Sequence, residues 1–171
     1  RKEKFQKFLT EEFGTTDVLE NISSNQIFLN RAKIKTLGFD LETVQQVIVN
    51  EQITYDHVYK AYTATSMHSG NFTKGIEALL QNGYNQKRSG DVLLVNEPNY
   101  IAFRETGTTH GSGLNYDTHV PLLFFGKGIK HGETFKKTEI TDIAPTISAL
   151  LGISFSNGST GQPLEFVIDN D

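Results

Sequence analysis

The sequence predicts an α/β (α+β) chain. A small α/β plait lobe is expected over residues 1–95, followed by a C-terminal segment, residues 96–171, built around one strand and one helix. Three observations predict this. Helical and extended patterns alternate up to about Val95 as helix, strand, helix, strand, helix, strand, which suggests a small sheet with helices on one face. Residues 100–116 shift to Gly, Thr, Ser and His, and a long polar loop in a compact domain is more often functional. Residues 120–125, Val-Pro-Leu-Leu-Phe-Phe, form an unbroken apolar run closed by Gly126, the pattern of a strand buried on both faces.

The elements follow in chain order. Phe5, Phe8, Leu9 and Phe13 recur at helical spacing over residues 4–13, with Gly14 as the stop. Residues 26–30 have strand character, and residues 33–37 extend that strand or form a turn. Asp40 is a candidate N-cap for a helix whose apolar face is Leu41, Val44, Val47 and Ile48. Thr43 stands where a capping-box Glu would, so the box is absent. Residues 58–63 alternate as a strand, residues 72–80 read as a helix ended by Asn82-Gly83, and residues 91–95 read as a strand. A last helix over residues 141–152 has Thr141 or Asp142 as cap, Pro145 in its first turn and Gly152 as stop. Residues 154–171 read as surface coil with a short extended end.

A length of 171 residues gives one domain or two small lobes. The hydrophobic share of 37% is low for a chain that covers its own core; either the surface is polar or apolar faces pair with a missing segment. With 16 Lys+Arg against 20 Asp+Glu and a net charge of -4, the chain lacks the basic face that non-specific nucleic-acid binding needs. The absence of cysteine excludes disulfides and thiolate metal sites. No apolar run reaches the ~18–20 residues of a membrane span, and no signal peptide is evident. The chain opens Arg1-Lys2-Glu3-Lys4, which suggests a fragment or a processed product.

The strongest local signal for chemistry is Gly107-Thr108-Thr109-His110-Gly111-Ser112-Gly113. A histidine flanked by glycines and hydroxyls sits on exposed, adaptable backbone, and neutral imidazole is a good zinc ligand. A loop histidine without a metal has the same appearance. His119, in Asp117-Thr118-His119, is a second ligand, a group that orients the first, or a strand-start histidine bonded to backbone; the orienting or structural role is preferred. His68 lies in a predicted turn and His131 in a polar loop. Asp56-His57 is an acid–imidazole pair of a kind that metallophosphatases use, but no glycine loop follows it, so it reads as the start of a strand. Arg88-Ser89-Gly90-Asp91 could hold a phosphate, but reads better as a turn that pins one strand. Phosphate-loop, dinucleotide-binding, His-Glu-x-x-His and Gly-x-Ser-x-Gly motifs are absent.

Taken together, the motifs resemble a known family. Gly107-Thr108-Thr109-His110-Gly111-Ser112 comes first, then Tyr116-Asp117-Thr118-His119-Val120-Pro121-Leu122, then Phe125-Gly126-Lys127-Gly128-Ile129. Thr141-Asp142-Ile143-Ala144-Pro145-Thr146-Ile147 and Leu150-Leu151-Gly152 follow. In this order and spacing they resemble the type I phosphodiesterase and nucleotide pyrophosphatase branch of the alkaline phosphatase superfamily, above all the exported zinc-dependent alkaline phosphatases of Bacteroidetes. Arg88-Ser89-Gly90-Asp91-Val92 and Gln26-Ile27-Phe28-Leu29-Asn30 fit as well.

The resemblance implies that residues 96–171 are the C-terminal strand and helix of an alkaline phosphatase-like sheet carrying the metal-ligand loop. It implies two zinc ions, a Thr or Ser nucleophile that forms a covalent phosphoenzyme, and a small phosphate ester as substrate. It places the last zinc ligand at His110, with His119 and Asp117 as candidates for orienting it. The family's early Asp, its nucleophile, its Asp-x-x-x-His and its Asp-His-Gly do not occur here, and in the family they would precede Arg1. The resemblance therefore implies part of a phosphatase, without its nucleophile and inactive by itself, from a periplasmic or secreted protein.

Other readings stand beside this one. A phosphodiesterase or nucleotide pyrophosphatase of the same superfamily is one, and a non-catalytic binding domain that has lost its metals is another. Imidazole without thiolate also suits manganese or iron. An uncovered run at residues 120–125 predicts a sticky edge or a dimer.

Overall fold

The computed structural model describes residues 1–100 and 110–169, which divide into two compact units, Arg1–Val120 and Pro121–Asp171. The first unit begins with α1 (Lys2–Phe13), which buries Phe5, Leu9 and Phe13 along one stripe. Gly14 ends it in the left-handed region at φ 72, donating its N–H to Thr10 O at 3.0 Å. A hairpin follows, β1 (Leu19–Ser23) and β2 (Gln26–Leu29). Its two-residue turn, Ser24-Asn25, has positive φ at both positions, the backbone twist that tight hairpins prefer.

The sequence pattern predicts only one strand here, with residues 33–37 extending it or forming a turn. Instead α2 spans Arg31–Thr36, because the Asn30 side chain accepts from Lys33 N at 3.0 Å and Ile34 turns into the core. Helix α3 (Leu41–Gln52) starts at Asp40, whose carboxylate accepts from Thr43 N at 2.9 Å.

Strand β3 (Val58–Thr63) runs directly into α4 (Ala64–Ser69), where a turn containing His68 was expected. The Thr63 hydroxyl supplies the cap, accepting from Ser66 N at 3.0 Å, and Met67 is buried. Helix α5 covers Gly75–Gly83, starting later than Phe72. Phe72 stays outside it because its N–H goes to the Gln81 side chain, whose amide in turn donates to the carbonyls of Met67 and Gly70.

Strand β4 (Val92–Asn96) completes a four-stranded antiparallel sheet of order β1-β2-β4-β3. Val92 and Leu94 join Phe5, Leu9, Val44 and Ile48 in one core. Leu93 and Val95 are buried on the opposite face. Tyr62, paired with Leu93, reaches Glu77 of α5 from that opposite face, so helices cover both faces and not one as expected. The predicted turn at residues 88–91 does pin strands. Gly90 N donates to Gln26 Oε1 at 2.7 Å, and the Asp91 carboxylate accepts from Leu29 N at 2.9 Å and from the Arg31 guanidinium at 2.8 and 3.0 Å.

In the second unit, α7 (Ile143–Leu151) follows a short 3₁₀ turn at Ile140–Asp142 and ends at Gly152, φ 63. Asp142 does not cap α7 with its side chain as expected. Its carboxylate accepts from Glu139 N at 2.8 Å and from Gln162 N at 2.9 Å, tying the turn to the later coil. Thr146 is fully buried; its hydroxyl donates to Asp142 O and accepts from Leu164 N at 2.9 Å. Ile129 and Ile168 form an isolated antiparallel bridge.

Residues 120–125, expected as a buried strand, are coil here with Leu123 88% exposed. A strand exists through its ladder partners, and among the described residues no segment pairs with this run.

Candidate metal-ligand loop

Two flanks carry the candidate site. The first is the exit of β4. Glu97 N donates back to His57 O at 3.0 Å, and the Glu97 carboxylate lies 3.4 Å from His57 Nδ1. The His57 ring stacks on Tyr100, with centroids 4.1 Å apart and planes 8° from parallel. His57 itself has φ 67, an uncommon conformation for a non-glycine residue. Asp56-His57 thus belongs to the turn before β3, and its imidazole faces the β4 exit.

The second flank is residues 110–120. His110 is exposed, as are Gly111 and Ser112. Ser112 donates both its N–H (2.9 Å) and its hydroxyl (2.6 Å) to Asp117 Oδ2. These bonds hold the Asp117 carboxyl below the usual carboxylate range, with the nearby His110 imidazole adding a smaller pull in the same direction. Asp117 lies on α6 (Asn115–Thr118), one turn of helix at the end of the stretch whose composition predicts a polar loop.

His119 ends that turn, donating its N–H to Asn115 O at 2.9 Å, where a strand start was expected. Gly113 lies directly against Ile76 and Leu79 of α5; a Cβ there would overlap the Ile76 side chain. The Tyr116 hydroxyl accepts from Asn99 N at 3.2 Å and so joins the two flanks. The first part of the motif, residues 107–109, lies outside the described residues.

His68 lies in the last turn of α4, and His131 is exposed beside Gly132. Among the described residues no group of three or more His, Asp or Glu converges on one point. Catalytic zinc normally takes three protein ligands and an open position. The residues present therefore fit zinc as one exposed imidazole donor, and do not by themselves make a complete site.

Sequence reasoning passed over Gly113, Tyr116, Tyr100 and Ile76 as site residues. Their role lies in contacts between segments, which no local pattern announces.

No family model matches the chain. Individual proteins do. The chain is 33% identical over 168 residues to alkaline phosphatase PafA of Elizabethkingia meningoseptica, covering 98% of this chain and 31% of that protein. It is 33% identical to a protein of Myroides odoratus named calcium-transporting ATPase, over 94% of this chain and 30% of that one. It is 35% identical to alkaline phosphatase PhoV of Synechococcus elongatus, over 82% of this chain and 26% of that one. The crystal structure of PafA superimposes with a TM-score of 0.89 at 32% identity, over 98% of this chain and 32% of that chain. The chain spans about a third of the length of the curated relatives it matches. In sequence and in fold, then, it belongs with the alkaline phosphatase superfamily, alongside enzymes of the PafA kind.

Proposed function

We propose that this chain is one part of a zinc-dependent phosphatase that hydrolyses phosphate monoesters through a covalent phosphoenzyme. In this reading it contributes His110 as a metal ligand and is inactive by itself. The observation that carries the proposal is the match to alkaline phosphatase PafA over 98% of the chain but only 31% of that protein. The exposed imidazole at position 110, with Ser112 and Asp117 tying the backbone beside it, supports the assignment of the ligand.

Imidazole binds a metal in its neutral form through a ring nitrogen, and an exposed residue followed by glycine puts little steric bulk in the way. When bound, zinc supplies positive charge against the charge that develops in displacement at phosphorus. The chain's own part is to hold the imidazole still. The remaining donors and the nucleophile come from outside the described residues, and the intact protein is exported to the periplasm or secreted.

The test is His110→Ala in the intact protein. Zinc retained after dialysis and turnover of an aryl phosphate should both fall, by more than the roughly 10–100-fold typical of outer-shell losses. The same assay on the isolated chain with added zinc should show no turnover. Wild-type zinc retention in the variant, or turnover by the isolated chain at the rate of the intact protein, would overturn the proposal.

A further inference from the structure

Two described stretches that are near His110 in sequence, residues 96–100 and 110–118, are each tied to the lobe. Upstream, β4 leaves the sheet at Asn96, and Tyr100 is stacked on His57 at 4.1 Å. Downstream, Gly113 rests on Ile76 and Leu79, and α5 is itself bound to β3 through Glu77, which accepts from Lys60 and Tyr62. A bond joins the two stretches: the N–H of Asn99 donates to the Tyr116 hydroxyl at 3.2 Å. Asn99 turns there in the left-handed region, φ 64, a conformation that asparagine tolerates better than most residues.

We propose that Tyr116 and Tyr100 are positioning residues for His110: the stack of Tyr100 on His57 anchors the neighbouring Asn99, and the bond from Asn99 to Tyr116 steadies the stretch that presents the imidazole. Neither tyrosine touches the metal. Without the ties, the ordering of both flanks would be deferred to the moment of metal binding and would subtract from affinity. With them, the flanks are ordered in advance. The inference rests on His110 being a ligand, as proposed above.

The experiment uses the intact protein and measures the zinc dissociation constant by competition with a chromophoric chelator. Kinetics at saturating zinc and a thermal melt accompany it. Tyr116→Phe removes one hydroxyl and Tyr100→Ala removes the stacked ring. Each should weaken zinc binding about tenfold, the lower end of what supporting residues are worth, with activity regained in excess zinc and the melt unchanged. Tyr100→Phe, which keeps the ring over His57, should bind zinc as the wild type does.

Wild-type zinc affinity in Tyr116→Phe and Tyr100→Ala would overturn the inference and leave His110 as a ligand. A loss in Tyr100→Phe equal to that in Tyr100→Ala would overturn the stacking half. Wild-type affinity in His110→Ala would remove the reading beneath both. If Tyr100→Ala lowers the melt, Tyr116→Phe, a change of one oxygen, decides alone.

Discussion

Glu77 shows how much one side chain can concentrate. Its carboxylate receives the Lys60 ammonium at 2.5 Å and the Tyr62 hydroxyl at 2.6 Å. The Lys60 bond first, and the Tyr62 bond next, hold its pKa down at about 2, from an ordinary 4.5. Burial, then the bond to Glu77, pushes the Tyr62 hydroxyl up to about 12. A carboxylate whose pKa is depressed by folding stabilises the fold above its unfolded pKa, and that contribution is lost as pH falls through the folded value. The window here runs from about 4.5 down to about 2. Urea midpoints measured across that range should fall with pH, and Glu77→Gln should flatten the decline and lower the midpoint at neutral pH. An unchanged slope in the variant would assign the acid sensitivity to other carboxylates.

Among the elements, the junction of β2, α2 and β4 hangs on Asp91, which is 3% exposed. Its carboxylate holds Leu29 N and the Arg31 guanidinium, and its own backbone bonds Ile27 O and Ala64 N. Asp91→Ala should cost about 2 kcal/mol, chiefly because it leaves the buried Leu29 amide unpaired, while the half-exposed Arg31 guanidinium turns to water. In urea the midpoint should drop with an unchanged denaturant slope. A loss of a few tenths would mean that the Leu29 amide finds another acceptor.

The same elements show what could be read in advance. Helices α1 and α3 and strand β3 were legible because each carries its own signals: Phe5, Leu9 and Phe13 on a stripe, Asp40 before Thr43, alternation over Val58–Thr63. Strand β1 was not, because Leu-Glu-Asn-Ile-Ser is mostly polar and stays exposed at the sheet margin. Helix α2 was hidden because Lys33, Ile34 and Lys35 alternate like a strand, and only the Asn30 cap decides otherwise. The residue types of the candidate site, His110 and Asp117, stood in plain view. The bond from Asn99 to Tyr116 and the seat of Gly113 on Ile76 depend on how distant segments meet.

On the scale of the whole molecule the two units differ in how well they cover themselves. Arg1–Val120 has a continuous core of Phe5, Leu9, Ile27, Val44, Ile48 and Val92. In Pro121–Asp171, Leu123, Phe125, Phe135 and Ile140 are each at least 84% exposed. Exposed apolar groups on this scale mark an interaction surface or an aggregation liability. The outer strands of the sheet are less inviting: β1 is polar and irregular between Leu19 and Asn21, and β3 is irregular between Val58 and Lys60. The isolated chain should therefore self-associate as its concentration rises, and Leu123→Lys with Phe125→Lys should suppress this. Sedimentation velocity over a concentration series measures it; a single monomeric boundary throughout would count against the prediction.

The place of β4 in the sheet has one more consequence. With β2 on one side and β3 on the other, it has no free margin from which to peel. Peripheral parts such as the start of α1 can fray and re-form while this strand stays shut. The point from which the chain sets out toward His110 is thus insulated from everyday breathing, and its anchorage is surrendered only when the lobe as a whole gives way.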